Sequence, residues 1–574
     1  MLKLQWVNTL IFAAFFVTLI YAENAAASLY SCEDFENNDE IEEILKSYKN
    51  TSFLNFSYFK AGTSVEGKTI HGLTVMPAKS IDFDFLPKIR VIGAIHGNEC
   101  LSASMVLTII DAISGGVNSS DEFLEVSSKA VFVFVPLVNP DGHDDIPAQR
   151  YNKNGVDLNR NFSFAWSASG TINGNDPFSE PESKAIRDLS VDNNFVLGLS
   201  YHTNANYVNS PWNYIPFYPL DEELIAEIGN TYAAQTDYNV TFGWDWYQIS
   251  GDVNDWSLGT NGTFDWTIEL PSDVNLDFDI YKDGVAAFFL KAIPAVKGKV
   301  TDEETGYPLN AIITVEPEGT PVYTDGETGV YNRILINGSY DISAWADGYK
   351  PVTMKNITAS SDNIMRLDFK LKRSIKYTGK YRGALKVSEL VLDRDITNSY
   401  FASYGYDNTT QYQDALGPVD GKYYSIGFGG EITLVMGKEI VDIEGDDFAV
   451  VSGTNSKDPA VVFVSQSIDG PFYEINYGTG DIYCDISKTP LESVKYIKII
   501  DDGQTTFGEK DGGYDLDGIK PLTDNENDTE TSVYDTEPDT ETASLKPDSP
   551  FATVIGGCSF TEDKKKKSIL TLLF

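Results

Sequence analysis

Three uninterrupted apolar runs constrain this chain more than any other feature: VIGAI at 91–95, VFVFVPLV at 131–138 and FVLGLSY at 195–201. A strand with one wet face alternates apolar and polar residues. Runs that do not alternate suit strands buried on both faces, as in a largely parallel or mixed sheet covered by helices. Helical stretches at 101–113 and 180–189 lie between them, the second opening on Ser179, Glu180 and Pro181 as a cap and first turn. The stretch 37–294 is therefore expected to form one α/β domain, a mixed sheet flanked by helices.

The pattern changes at 295. Short alternating segments up to 373, including VKGKV, AIITV and MRLDFKL, are separated by Gly, Asp and Pro turns and predict a small β-sandwich. A second β-region, jelly-roll-like, is expected over 377–522, with DDFAVVSG, AVVFVSQSIDG and VKYIKIID as its clearest strands. The total of 574 residues has room for these three units and for two atypical ends. At the start, an apolar run from Trp6 to Ala22 followed by small residues predicts a secretory signal over 1–27, the alternative being an uncleaved anchor. Near the other end, 523–550 is rich in Asp, Glu, Thr, Ser and Pro and predicts an extended, self-repelling linker. The last stretch, 551–574, carries Gly556-Gly557-Cys558 before a lysine run and resembles a bacterial surface-sorting tail of the Gly-Gly-Cys kind, against the alternative of a frayed terminus.

With 43 Lys and Arg against 85 Asp and Glu, the formal net charge is -42. Such a field repels phosphate backbones and excludes nucleic acid as a partner. Cys32, Cys100, Cys484 and Cys558 are too few and too scattered for a disulfide framework, although individual pairs are allowed. Asp501, Asp502, Asp511, Asp515 and Asp517 are dense enough to suggest calcium on oxygen ligands, against the alternative of a solvated acidic face.

Chemistry concentrates in two of the four histidines. His96 opens His96-Gly97-Asn98-Glu99 directly after the first apolar run. A histidine and a carboxylate three apart at a strand end can turn toward one ion. A third ligand from a neighbouring strand end would leave one coordination position open. His202, closing the run FVLGLSY, supplies it. His71 and His143 fit no such pattern and are expected to be ordinary surface or loop residues.

These motifs, followed in order by Asn139-Pro-Asp-Gly142, Arg150, Gly155-Val-Asp-Leu-Asn-Arg-Asn-Phe162, Ser200-Tyr-His202, Trp246-Tyr247 and Thr267-Ile-Glu-Leu270, resemble the zinc metallocarboxypeptidases. The regulatory branch of carboxypeptidases N, E, D and M is the most similar. The resemblance implies a carboxypeptidase A-like catalytic domain and a transthyretin-like character for the β-sandwich after it. It also implies one zinc per chain on His96, Glu99 and His202, with Asp157 orienting His96. Glu269 would be the general base for the attacking water and Arg150 would stabilise the oxyanion. Asn159 and Arg160 would hold the substrate's terminal carboxylate, and Tyr247 would close over it.

At the positions where branch members that remove Arg or Lys carry a pocket acid and a glutamine, this chain has Asn213 and Asn254. That pocket can hydrogen-bond but holds no formal charge, so neutral C-terminal residues are expected to be removed alongside basic ones, unless Asp252 or Asp255 substitutes after a small shift. The resulting expectation is a monomeric enzyme, secreted or attached to the cell surface through its tail, that hydrolyses the C-terminal residue of peptides or proteins. Two alternatives are a cell-wall peptide-stem carboxypeptidase and a non-catalytic peptide-binding surface adhesin.

Overall fold

The computed structural model describes residues 30–522, except 81–82, 169, 237, 273–276, 318, 347–348, 361–363, 374–383, 394–414, 417–418, 420, 422, 427–429, 454–457, 502–512 and the side chains of 384–393. The expected signal, linker and tail, with Cys558, lie outside these residues, as do Asp502 and Asp511.

An eight-stranded mixed sheet organises residues up to about 290. Its strands are β1 (Leu54–Thr63), β2 (Thr69–Pro77), β3 (Lys88–Ile92), β4 (Val131–Val135), β5 (Leu197–Thr203), β6 (Tyr207–Ser210), β7 (Asn239–Phe242) and β8 (Phe264–Leu270). They are arranged β1-β2-β4-β3-β5-β8-β6-β7. The four central strands, β4, β3, β5 and β8, run parallel to one another. Every residue of β4 is buried, as a non-alternating run requires, and so is every residue of β8 although its sequence FDWTIEL alternates apolar and polar side chains. Helices α1 (Asn38–Ser47), α2 (Cys100–Ile113), α3 (Asp121–Ser127), α4 (Pro181–Asn193), α5 (Glu222–Thr236), α6 (Val253–Asn261) and α7 (Phe278–Leu290) accompany the sheet. Helix α2 is apolar almost all round and correspondingly covered on nearly every side.

The first apolar run reaches 95, but β3 ends at Ile92. Ala94 adopts φ 44°, in the left-handed region, and donates its N–H to Ser102 Oγ at 2.7 Å. The remaining apolar residues therefore form a buried turn that carries His96 off the strand end. A disulfide, Cys32 to Cys100, ties the chain before α1 to the first turn of α2, one residue beyond Glu99.

Below the strand ends, Arg90 on β3 and Asp265 on β8 form a fully buried ion pair. They are not neighbours in the sheet. Arg90 pairs in register with Gly198 of β5, and Gly198 with Asp265. A Cβ on Gly198 would lie 2.6 Å from the Asp265 carboxylate, so only glycine lets the two charges meet across the middle strand.

Residues 296–373 form two sheets around a separate core that includes Val296, Val300, Ile313, Ile342, Phe369 and Leu371. Arg333, fully buried, binds Asp221 at 2.6 Å and so joins this unit to the chain just before α5. The later β-region contains a six-stranded and a four-stranded sheet, and it is not separate from the α/β domain. Trp166–Ser167 adds to its Ala384–Asp393 strand as a parallel edge. Arg187 on α4 also forms a two-pronged ion pair with Asp469, at 2.8 and 3.1 Å. Among the described residues no helix is long and apolar enough to cross a membrane.

Candidate active site

Parallel strands of one sheet end at the same side, and β3, β5 and β8 bring their chemistry there together. His96 follows β3, Glu99 precedes α2, and His202 is the penultimate residue of β5. The Nδ1 atoms of His96 and His202 stand 3.1 Å apart. Glu99 Oε1 is 2.9 Å from His96 Nδ1, and Oε2 is 3.2 Å from His202 Nδ1. All three side chains are buried, and Glu99 Oε2 and His202 Nε2 have no hydrogen-bond partner. Two imidazoles and a carboxylate converging this closely suit one divalent cation. In tetrahedral zinc coordination with bonds of about 2.05 Å, neighbouring ligand atoms are about 3.3 Å apart. The donor set therefore fits zinc.

Asp157 supports the arrangement from behind. Its Oδ1 lies 3.0 Å from His96 Nε2 and also accepts from the Asn159 amide, while Oδ2 accepts from Arg150 Nε and Nη2 at 3.1 and 2.9 Å. His96 is thereby held with Nδ1 facing the other ligands, the arrangement a carboxylate partner enforces on a metal-binding imidazole. Burial alone would lower the His96 pKa, but the charges of Glu99 and Asp157 outweigh it and raise it to about 9. Burial opposes ionisation of Glu99 and Asp157 as well. The histidine charges outweigh it and hold both carboxyls well below their usual range, with Arg160 and Arg150 adding to the effect at Asp157. His202 is shifted down, burial being the largest cause.

The turn carrying His96 is shaped for glycine. The Gly97 amide donates to the Arg150 carbonyl at 3.2 Å, and a Cβ there would sit 2.4 Å from the Gly142 carbonyl carbon and 2.5 Å from the His143 amide. Since both obstacles are backbone, Gly97→Ala is expected to displace the ligand turn and weaken zinc affinity by at least about tenfold. Competition with a chromogenic chelator measures this. Unchanged affinity would mean that the turn yields without moving its ligands.

Parallel pairing places Glu269 of β8 level with His202. Burial raises its carboxyl to about 8, with Glu99 adding to the effect against the opposing charges of His96, Arg150 and Arg160. Glu269 lines a narrow cleft together with Asn159, Tyr247, Asn209, Asn213 and Asp252. Tyr247 is 46% exposed at the rim, its ring edge-on to Trp246. Asn159 Oδ1 accepts from the Val253 amide at 3.1 Å, and Arg160 Nη1 donates to the Asn159 carbonyl at 2.7 Å. Arg150 Nη1 lies 3.5 Å from Glu99 Oε1, so this guanidinium spans the ligand and its supporting aspartate.

The two asparagines expected in the pocket occupy different places. Asn213 lines the cleft, whereas Asn254 does not; its Oδ1 accepts from Thr267 Oγ1 at 2.9 Å. His71 and His143 are buried rather than at the surface: His71 contacts the Tyr58 hydroxyl at 2.8 Å, and His143 stacks on Phe35. Of the acids suggested for calcium, Asp501 accepts from the Tyr514 amide and Asp517 from the Gly421 amide, and Ser425 Oγ donates to Asp515. Among the described residues the acids that gather within reach of one ion are instead Asp442, Asp447 and Asp485. Neither the Cys32–Cys100 pairing nor the Arg90–Asp265 pair had a sequence signal, because each depends on which distant segments the fold brings together.

Residues 39–292 match the family model of the zinc carboxypeptidases. Human carboxypeptidase D is 27% identical over 355 residues, which cover 55% of this chain and 25% of that protein. The catalytic chain of mouse carboxypeptidase N is 27% identical over 372 residues, covering 55% of this chain and 81% of that one. Among solved structures, carboxypeptidase A from Helicoverpa armigera aligns with TM-score 0.39 and 22% identity over 47% of this chain and 75% of that chain. The chain thus spans about a quarter of the length of the carboxypeptidase D proteins it matches.

Proposed function

We propose, from the premise that residues 39–292 are a zinc carboxypeptidase domain, that this protein is a hydrolase removing the C-terminal residue from peptides or proteins. The convergence of His96, Glu99 and His202 around one point, with Glu269 level with His202, supports it most strongly. Zinc held by those three residues would supply Lewis acidity, polarising the scissile carbonyl and making water a stronger acid. Glu269 takes the proton from the attacking water and returns it to the departing amine. Burial raises the pKa of its carboxyl, which strengthens it as a proton acceptor. Arg150 faces the developing negative charge, Asn159 and Arg160 hold the terminal carboxylate, and Tyr247 covers the bound residue from the rim.

In the same reading, residues 1–27 direct secretion and the 551–574 tail holds the protein at the cell surface. Residues 295–373 form a transthyretin-like sandwich and 377–522 a jelly-roll-like module. The complete set of ligands and base favours turnover over a purely adhesive role.

Elemental analysis of protein reconstituted with zinc is expected to find one zinc per chain, lost in His96→Ala and His202→Ala. The same analysis tests calcium in the later β-region, whose sole support is its density of acids. A digest of a peptide library, followed by mass for single C-terminal losses, tests the reaction; loss of internal fragments, or no cleavage by the zinc-loaded protein, would overturn it.

A further inference from the structure

Glu99 is the N-cap of α2, yet its carboxylate makes no capping bond, because its two oxygens face His96 and His202. The start of α2, and with it the position of a metal-ligating side chain, is therefore fixed by other groups. Within the turn, Ser102 Oγ donates to the Glu99 carbonyl at 2.6 Å and accepts from the Ala94 amide at 2.7 Å. The remaining support comes from a segment distant in sequence, residues 30–38.

That segment is fastened on both sides of the ligand turn. The Tyr30 amide donates to Thr108 Oγ1 at 3.1 Å, and Ser104 Oγ donates to the Tyr30 carbonyl, both partners lying on α2. Cys32 is bonded to Cys100, the residue after Glu99. Phe35, fully buried, stacks on His143, whose Nδ1 lies 3.4 Å from the Gly97 carbonyl oxygen, between the two ligands of the turn. The Asn38 amide then donates to Asp144 Oδ1 at 3.1 Å. Among these ties only the disulfide is covalent, and both of its cysteines are half-buried rather than enclosed, so a small reductant can reach it.

Resting on the zinc reading of the site, we propose that residues 30–38 are the positioning element of the His96–Glu99 turn, and that the Cys32–Cys100 bond makes zinc affinity dependent on redox state. A dithiol reductant opens the bond: one thiolate attacks a sulfur and expels the other cysteine as a thiolate, and the second thiol of the reductant then displaces the mixed disulfide. The protein gains two electrons and the two protons that the dithiol gives up, and the reductant leaves as a disulfide. With the covalent tie gone, hydrogen bonds and the Phe35 contact alone hold the strap, and Glu99 is freer to leave the histidines. A chain still in a reducing compartment would hold zinc weakly and gain it on reaching an oxidising one.

The test reduces the folded, zinc-free protein with a dithiol, removes the reagent by anaerobic gel filtration and measures zinc affinity by competition with a chromogenic chelator. The oxidised protein and the double variant Cys32→Ser with Cys100→Ser, which has no new thiols to bind the metal, are measured alongside. Hydrogen exchange is followed in the same zinc-free samples at 96–104 and in β4. Reduction and the double variant are both expected to weaken zinc binding by about 10–100-fold and to speed exchange at 96–104 while β4 stays protected, and reoxidation is expected to restore the wild type alone. Equal zinc affinity in oxidised and reduced protein, or unchanged exchange at 96–104, overturns the proposal. Loss of protection in β4 as well overturns it too, since the disulfide would then hold the whole domain and not the turn. If the oxidised protein binds no zinc, the zinc reading falls, and exchange at 96–104 alone decides whether the strap positions the turn.

Discussion

Glu269→Gln is expected to lower kcat by about 10³–10⁴-fold while leaving zinc content and KM nearly unchanged. The substitution keeps the shape of the side chain and removes only its capacity to accept a proton. Glu269 is 8% exposed on a fully buried strand, level with His202, so a glutamine has little freedom to relocate. Burial raises the glutamate's pKa to about 8, a sign that the site disfavours a fixed negative charge and that the neutral amide will be tolerated. A base acting only in the transition state should affect kcat and kcat/KM equally. Near wild-type turnover by zinc-loaded Glu269→Gln would assign the base elsewhere. A large rise in KM with kcat retained would make Glu269 a substrate-binding group.

The second large effect concerns stability. Arg90→Met is expected to destabilise the α/β domain by about 3–5 kcal/mol, because it leaves Asp265 buried without its counter-charge. Both members of the pair are 0% exposed. Arg90 also donates to Ser190 Oγ at 2.6 Å and to Ser257 Oγ at 3.0 Å, and those hydroxyls keep partners of their own in the Ile186 and Val253 carbonyls. The double variant Arg90→Met with Asp265→Leu should therefore recover most of the loss, since two apolar side chains can replace a buried pair at little net cost. Chemical denaturation of the three proteins decides the matter. A loss below about 1 kcal/mol in the single variant would show that solvent or a rearranged side chain compensates Asp265.

These two sites differ in how they were legible. The non-alternating runs announced buried parallel strands, and parallel strands end together, so a histidine closing one run and a His-x-x-Glu after another already pointed at one place. The eye could not see from the same text that β3 stops at Ile92, because the next residues stay apolar and buried while Ala94 turns the chain. Burial and strand geometry leave the same mark in a sequence. His143 shows the converse. It stands in polar text that does not mark it as interior, yet Phe35 from another segment stacks on it, whereas His71 shares its strand face with the apolar Leu73 and Val75 and is met by Tyr58.

Residue type and short-range order were enough to predict the central buried strands and to single out a His-x-x-Glu and a second histidine at neighbouring strand ends, whereas Glu269 as the base followed only from the resemblance to the zinc carboxypeptidases. Register and packing decided the rest. Only the alignment of three strands sets Arg90, Gly198 and Asp265 in one row, and only a fold that joins distant segments pairs Cys32 with Cys100 or adds Trp166–Ser167 to the sheet containing Ala384–Asp393. The pocket shows the limit most plainly. In the sequence Asp252 is one of two acids that a small shift could bring into the pocket, and Asn213 a neutral residue. In the folded chain one oxygen of Asp252 performs the capping and the other is buried without a hydrogen-bond partner, a division within a single carboxylate that no linear pattern encodes.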